Sequence, residues 1–283
     1  MTPSFLAVGE CMIELADMGQ NSYKRGFAGD TFNTAWYARK LLPKAWDVSF
    51  GSCIGDDLAS QDMAAFVRDS GIATDWLRIV PKRSVGLYMI TLDQGERRFS
   101  YWRSQSAARL LADDADWLAQ MCKDRAVIHF SGITLAILSP RGREALCAAL
   151  EQAKADGAMI AFDTNLRPNL WDSHDDMRDW ISFAAQTAQV VLPSFDEDAE
   201  LFGDKSPTDT IARYQSAGAE LVAVKNGGDA LWLWDETGIR TCQPVPIDTI
   251  VDTTAAGDSF AAAFLSALAL GQNADDAAMS AMQ

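Results

Sequence analysis

The chain has 283 residues, 48% apolar and 22% charged, with a mean hydropathy of −0.06; this suffices for the core of one large domain and is not the composition of a disordered chain. A net charge of −15 and a pI near 4.5 repel the phosphates of nucleic acids and membranes, so neither is expected as a partner. Any anionic substrate must then be met by cations placed locally, against the overall field.

In chain order, the opening MTPSFLAVGECMIEL lacks a basic leader region and is too short and polar for a membrane span. A helix is expected over 31–42. Two strand-like runs, 84–92 and 96–103, flank Asp93-Gln94-Gly95 and predict a hairpin. Period two puts Phe99, Tyr101 and Arg103 on one face, with Tyr88 on the partner strand, and Ser100, Trp102 and Ser104 on the other. Such a hairpin is either a lid over a pocket or an ordinary edge hairpin. From there strands at 126–130, 158–163, 189–193 and 221–225 alternate with helices at 139–155, 175–185 and 197–202. That alternation predicts a doubly wound α/β fold, mostly parallel, with helices on both faces. Runs 230–234 and 238–242 read as a hairpin on its edge, and a helical pattern starts at 275.

Five scattered cysteines (Cys11, Cys53, Cys122, Cys147, Cys242) contain no C-x-x-C pair and read as reduced, packed thiols, so the expected compartment is the cytoplasm. His129 and His174 lie near no nucleophile or ligand cluster and read as structural.

The most informative stretch is IVDTTAAGDSF, residues 250–260. Small residues at 255–257 let the chain turn closely before a helix that carries Phe260, Phe264 and Leu268 on one face. Backbone N–H groups at such a turn form an anion site, and Asp258 falls in the first helical turn, where the helix dipole favours its ionised form. This suits phosphoryl transfer, with Asp258 as base; the alternative is an acid that merely starts a helix. No G-x-x-x-x-G-K-[ST] is present, which disfavours a P-loop enzyme.

VDTTAAGDSF closely resembles the D-T-x-(G/A)-A-G-D signature of the ribokinase-type (PfkB) carbohydrate kinases. GECMIEL, RGFAGDTFNTAWYARKL, VGLYMI, GERRFSYWR, SGITLAILSP, DTNLRPNLW and AVKNGG extend the resemblance over most of the chain, and are especially similar to the 2-keto-3-deoxygluconate kinase subfamily. The resemblance implies a single kinase domain over 1–283, with a β-rich lid from about 12–28 and 74–106. It implies an ATP-dependent kinase of 2-keto-3-deoxygluconate acting on the 6-hydroxyl; kinases of fructose, ribose or ketodeoxygalactonate, and a non-catalytic sugar sensor, are the alternatives.

Residue by residue, it makes Asp258 the base and Ala255, Ala256 and Gly257 the anion-hole amides. Gly29, Asp30 and Asn33 match the sugar-binding G-D-x-x-N element, although Asp30 could instead cap a helix. Tyr88, Tyr101 and Arg103 match the lid, and Arg103 with Arg167 are the candidates for a substrate carboxylate; a surface charge for Arg103 and an ion pair or phosphate contact for Arg167 are the other readings. Lys225, Gly227 and Gly228 match the nucleotide loop. Ser194 stands where the family has asparagine in N-x-x-E, and Glu197 is implied to reach Mg²⁺ through water. Asp252 matches a position that holds a monovalent cation such as K⁺, or caps a turn. A homo-oligomer paired through the lid and an adenine-flanking segment beyond Gln283 are further implications.

Overall fold

The computed structural model describes residues 2–93, 96–245 and 255–282. In chain order these form β1 (Ser4–Val8), β2 (Met12–Asp17), β3 (Tyr23–Ala28), α1 (Asp30–Leu41), β4 (Asp47–Ile54), α2 (Leu58–Asp69), β5 (Leu77–Ile79), β6 (Gly86–Asp93), β7 (Glu96–Trp102), α3 (Ala115–Cys122), β8 (Val127–Ser131), α4 (Gly132–Ile137), α5 (Pro140–Ala155), β9 (Met159–Asp163) and α6 (His174–Ala185). There follow β10 (Val190–Leu192), α7 (Phe195–Phe202), α8 (Pro207–Ser216), β11 (Leu221–Val224), β12 (Leu231–Asp235), β13 (Gly238–Cys242), α9 (Ala256–Ala269) and α10 (Ala274–Ala281). Short 3-10 turns occupy Ala107–Leu110 and Pro168–Leu170.

The large sheet runs β13-β12-β11-β10-β9-β8-β1-β4-β5. It is parallel from β5 to β11, and the β12–β13 hairpin closes one edge antiparallel. Period two explains the layering. Leu6 and Val8 of β1 join one apolar cluster with β8, β9 and α5, while Phe5 and Ala7 join another with α1, α2 and α9. Both faces are therefore buried, and parallel strands read as unbroken apolar runs for that reason. Phe130 and Phe162 stack across neighbouring strands at 4.7 Å between ring centroids.

A smaller sheet, β3-β2-β6-β7, contains the expected hairpin, with Tyr88 opposite Tyr101. Two details differ from the sequence expectation. Its first strand starts at Gly86, because Ser84 instead forms an isolated bridge with Ser106. β5, within the stretch expected of the lid, pairs with β4 in the large sheet. The hairpin turn residues Gln94 and Gly95 lie outside the described residues.

The chain leaves β1 through the small sheet and returns to β4 on one side; it later fills the other side through β8, β9, β10 and β11. Strand order therefore reverses at β1, and ligands of open α/β sheets bind outside the carboxyl ends of strands at such a point.

Candidate active site

The carboxyl ends of successive strands deliver polar residues to one rim. β1 leads into Gly9 and Glu10, β9 ends at Asp163, β10 leads to Ser194, and β11 leads to Lys225. Two helices open over this rim. Gly29 precedes α1 in extended backbone, and a Cβ there would lie 2.0 Å from the Glu10 carbonyl oxygen, so only glycine lets the helix start sit against the end of β1.

From α1, Asn33 donates from Nδ2 to Asp258 Oδ2 at 2.8 Å, and Asn165 donates to Asp30 at 2.8 Å. Asp30 makes no side-chain cap to α1, so its carboxylate is turned to the site instead. Thr34 Oγ1 lies 3.1 Å from the Asp30 carbonyl oxygen and 3.3 Å from that of Asp258, so its single proton is shared between the two helix starts. α9 opens at Ala255, which holds φ 60° and ψ 17°, a left-handed conformation rare outside glycine. Small side chains at 255–257 fit this turn. Gly257 sits above Lys225, whose Nζ would be 3.7 Å from an added Cβ.

Electrostatics at this mouth are finely opposed. Burial is the main effect that pushes the Asp258 carboxyl up to about 7, with the negative charges of Asp30 and Asp163 adding to it; the Asn33 hydrogen bond and Lys225 pull the other way. A carboxylate poised near neutrality is suited to take a proton from an alcohol. Lys225 is clasped by Asp163, with Nζ 2.9 and 2.8 Å from its two oxygens. Lys225 also binds the start of α7: its carbonyl accepts from Phe195 N–H at 2.8 Å, and it forms an isolated bridge with Ser194. Gly227, at φ 57°, turns the loop that follows, with Gly228 beside it on the surface.

Arg167 is half exposed and pairs with Glu197 at 2.7 Å, and the other Glu197 oxygen accepts from Leu166 N–H at 3.0 Å. Both Glu197 oxygens are thus engaged. Contact with Mg²⁺ through a water fits this arrangement better than direct coordination, which would displace Arg167. Among the described residues no cluster of three or more His, Cys, Asp or Glu side chains could hold a metal. Asp252, the candidate for a monovalent cation, lies outside the described residues.

On the lid, Tyr88 is buried and donates to Glu14, while Tyr101 is exposed and lies 5.9 Å from the Tyr88 ring. Arg103 is not a free surface charge: it is buried and paired with Glu10. Sequence reasoning therefore brought together Asn33, Asp258, Asp30 and Gly29, and it passed over Glu10, Glu14, Asp163 and Asn165. For Glu10 and Asp163 the signal was present in GECMIEL and DTN, because acids beside the ends of apolar strand runs are buried only with partners.

His129 is buried in β8 with its pKa lowered chiefly by burial, whereas His174 is exposed in the first turn of α6. All five cysteines are free, and four are buried. Among the described residues no helix is long and apolar enough to cross a membrane.

The model of the pfkB family carbohydrate kinases matches residues 3–282. The chain belongs to that family. The kinase is 37% identical to the 2-dehydro-3-deoxygluconokinase of Dickeya dadantii over 98% of its own length and 91% of that protein's. Among solved structures it resembles a PfkB protein from Polaromonas sp. JS666, with a TM-score of 0.86 and 25% identity over 100% of this chain and 94% of that one. It also shares the fold of a putative ribokinase II from E. coli solved with ATP and Mg²⁺, at a TM-score of 0.84 and 24% identity, over 100% of this chain and 91% of that one. The kinase is thus a phosphotransferase with an alcohol acceptor, on a ribokinase-like fold with a small lid sheet.

Proposed function

We propose that the kinase transfers the γ-phosphoryl group of ATP to the 6-hydroxyl of 2-keto-3-deoxygluconate, with Asp258 as the base. The observation that carries this reading is the Asp258 carboxyl, set in the first turn of α9, steadied by Asn33 and held near pH 7 by burial. Its sugar side is supported by the near full-length likeness to 2-dehydro-3-deoxygluconokinases.

In this reading the 6-hydroxyl gives its proton to Asp258 Oδ1, while Asn33 keeps Oδ2 in place. The amides of Ala255, Ala256 and Gly257 face the charge growing on the transferred group, with Lys225 beneath Gly257 adding a positive charge. Gly29, Asp30 and Asn33 line the sugar's far hydroxyls, and Tyr88 and Tyr101 cover its carbon chain. Arg103 and Arg167 are the cations offered to its carboxylate. Ser194, Gly227 and Gly228 border the nucleotide. Mg²⁺, reached by Glu197 through water, supplies charge neutralisation on the phosphates. Asp252 would hold a monovalent cation such as K⁺.

The free thiols support a reducing cytoplasmic setting, and the acidic surface argues against nucleic-acid or membrane partners. Exposed Phe99 and Tyr101 support pairing through the lid, which sedimentation would test.

The deciding experiment measures ADP release with ketodeoxygluconate, ketodeoxygalactonate, fructose and ribose as acceptors. The reading expects ketodeoxygluconate to have the highest kcat/KM. Equal or faster turnover of a neutral sugar overturns it.

A further inference from the structure

Glu10, two residues beyond the end of β1, is 2% exposed, and its partner Arg103 is 9% exposed. Their contact is lopsided. Arg103 Nε, at 2.8 Å, and Nη2 both donate to Glu10 Oε2, whereas Oε1 is buried without a hydrogen-bond partner. A buried pair built for stability would satisfy both oxygens, because an orphaned acceptor carries its full desolvation cost.

Geometry gives the pair a different use. Nε and Nη2 form the side edge of the guanidinium, so Glu10 leaves the end edge, Nη1 and the second Nη2 hydrogen, unengaged. Arg103 lines a cleft of about 500 Å³ together with Tyr101, Ser104, Arg109 and Asn169. Gly86 makes room for the clamp: a Cβ there would stand 2.9 Å from Glu10 Oε1 and 3.2 Å from Arg103 Cβ.

We infer that Glu10 is a positioning residue for sugar-acid recognition, clamping the side edge of Arg103 so that its end edge meets the substrate carboxylate as a bidentate pair. This rests on the sugar-acid reading above. What Glu10 supplies is orientation, since a guanidinium already fixed in place loses less freedom on forming its fork. Its charge works against the incoming carboxylate. A glutamine at position 10 would still accept from the same edge, whereas an alanine would release it.

The test measures kcat and KM for 2-keto-3-deoxygluconate and for its neutral C1 carboxamide. The proteins are wild type, Glu10→Gln, Glu10→Ala, Arg103→Ala and the Glu10→Ala/Arg103→Ala double variant. For Glu10→Ala, the acid's KM is expected to rise about tenfold or more, with the amide's KM and both kcat values changing less than about threefold. Glu10→Gln keeps the acid's KM within about threefold, and adding Glu10→Ala to Arg103→Ala changes nothing further. Where Glu10→Ala does not fold, Gly86→Ala crowds the clamp without deleting a charge and should show the same selective rise.

An acid KM unmoved in both Glu10→Ala and Gly86→Ala, or acid and amide KM rising together, overturns the inference. A wild type that does not prefer the acid to the amide fells the sugar-acid reading and the inference with it. A wild type that prefers it, with Glu10→Ala preferring it equally, fells the inference alone.

Discussion

Asp258 is the residue on which pH acts first. Its carboxyl is raised to about 7, so the ionised base is lost as pH falls through that value, and kcat/KM is predicted to climb through a single acid limb centred near pH 7. The same shift has a consequence for stability. Between the ordinary carboxylate value of 3.8 and about 7 the folded chain holds a proton that the unfolded chain has lost, so ionising Asp258 costs stability as pH rises through that window. Asp258→Asn is therefore expected to unfold at higher urea than wild type at pH 8, by on the order of 2–4 kcal/mol, while losing most turnover. A variant that is less stable at that pH contradicts the assigned burial. Asp258 itself was legible in the sequence because small residues before a helix-opening acid form a local pattern. Its perturbed proton affinity was not, since Asp30 and Asp163 approach it from elements that lie 228 and 95 positions away along the chain (258 − 30 and 258 − 163).

Pairs that bridge elements carry the next set of expectations. Asp163 ends β9 and Lys225 follows β11, and together they place one negative and one positive charge below α9. Both influence Asp258, in opposite senses. Lys225→Met should move the acid limb of kcat/KM upward and Asp163→Asn should move it downward, each by up to about one pH unit. Shifts of the same sign would show that the pair acts only through folding. Helix starts tell a similar story. α2, α3, α4, α5, α6 and α10 are each capped by a side chain, α4 directly at the carboxyl end of β8, whereas α1, α7, α8 and α9 are not. The uncapped starts leave N–H groups free to meet anions. The sequence showed the capped helices through Ser139-Pro140 and Ser173. It placed the start of α7 two residues late, because Ser194 begins that helix without the cap bond that normally marks one.

At the scale of the whole molecule, alternating apolar runs and helix-length segments were sufficient to predict a parallel sheet covered on both faces, and β8 to β11 follow that order. The reversal at β1 was not legible, since no local pattern says on which side of a strand the chain resumes. Long-range polar networks were equally hidden. Asp198 in α7 is fully buried and accepts from Thr164 at 3.1 Å, Arg213 at 2.9 Å and Tyr214 at 2.5 Å, tying α7 and α8 to the loop that presents Asn165 and Arg167. Asp198→Ala would leave the Tyr214 and Thr164 hydroxyls without their acceptor, while Arg213 keeps its pair with Asp204 at 2.6 Å, and should destabilise the fold by about 2–3 kcal/mol in urea unfolding. A loss below about 1 kcal/mol would mean the network is not cooperative.

Turnover requires a proton to pass from the sugar alcohol to Asp258. The direct measurement is the pH dependence of kcat/KM for wild type on 2-keto-3-deoxygluconate with saturating MgATP, beside Asp258→Asn under the same conditions. The expected result is an acid limb near pH 7 in the wild type and a loss of about a thousandfold or more in the variant, with little change in sugar affinity. A variant that turns over at a rate close to wild type, with the limb intact, would contradict it.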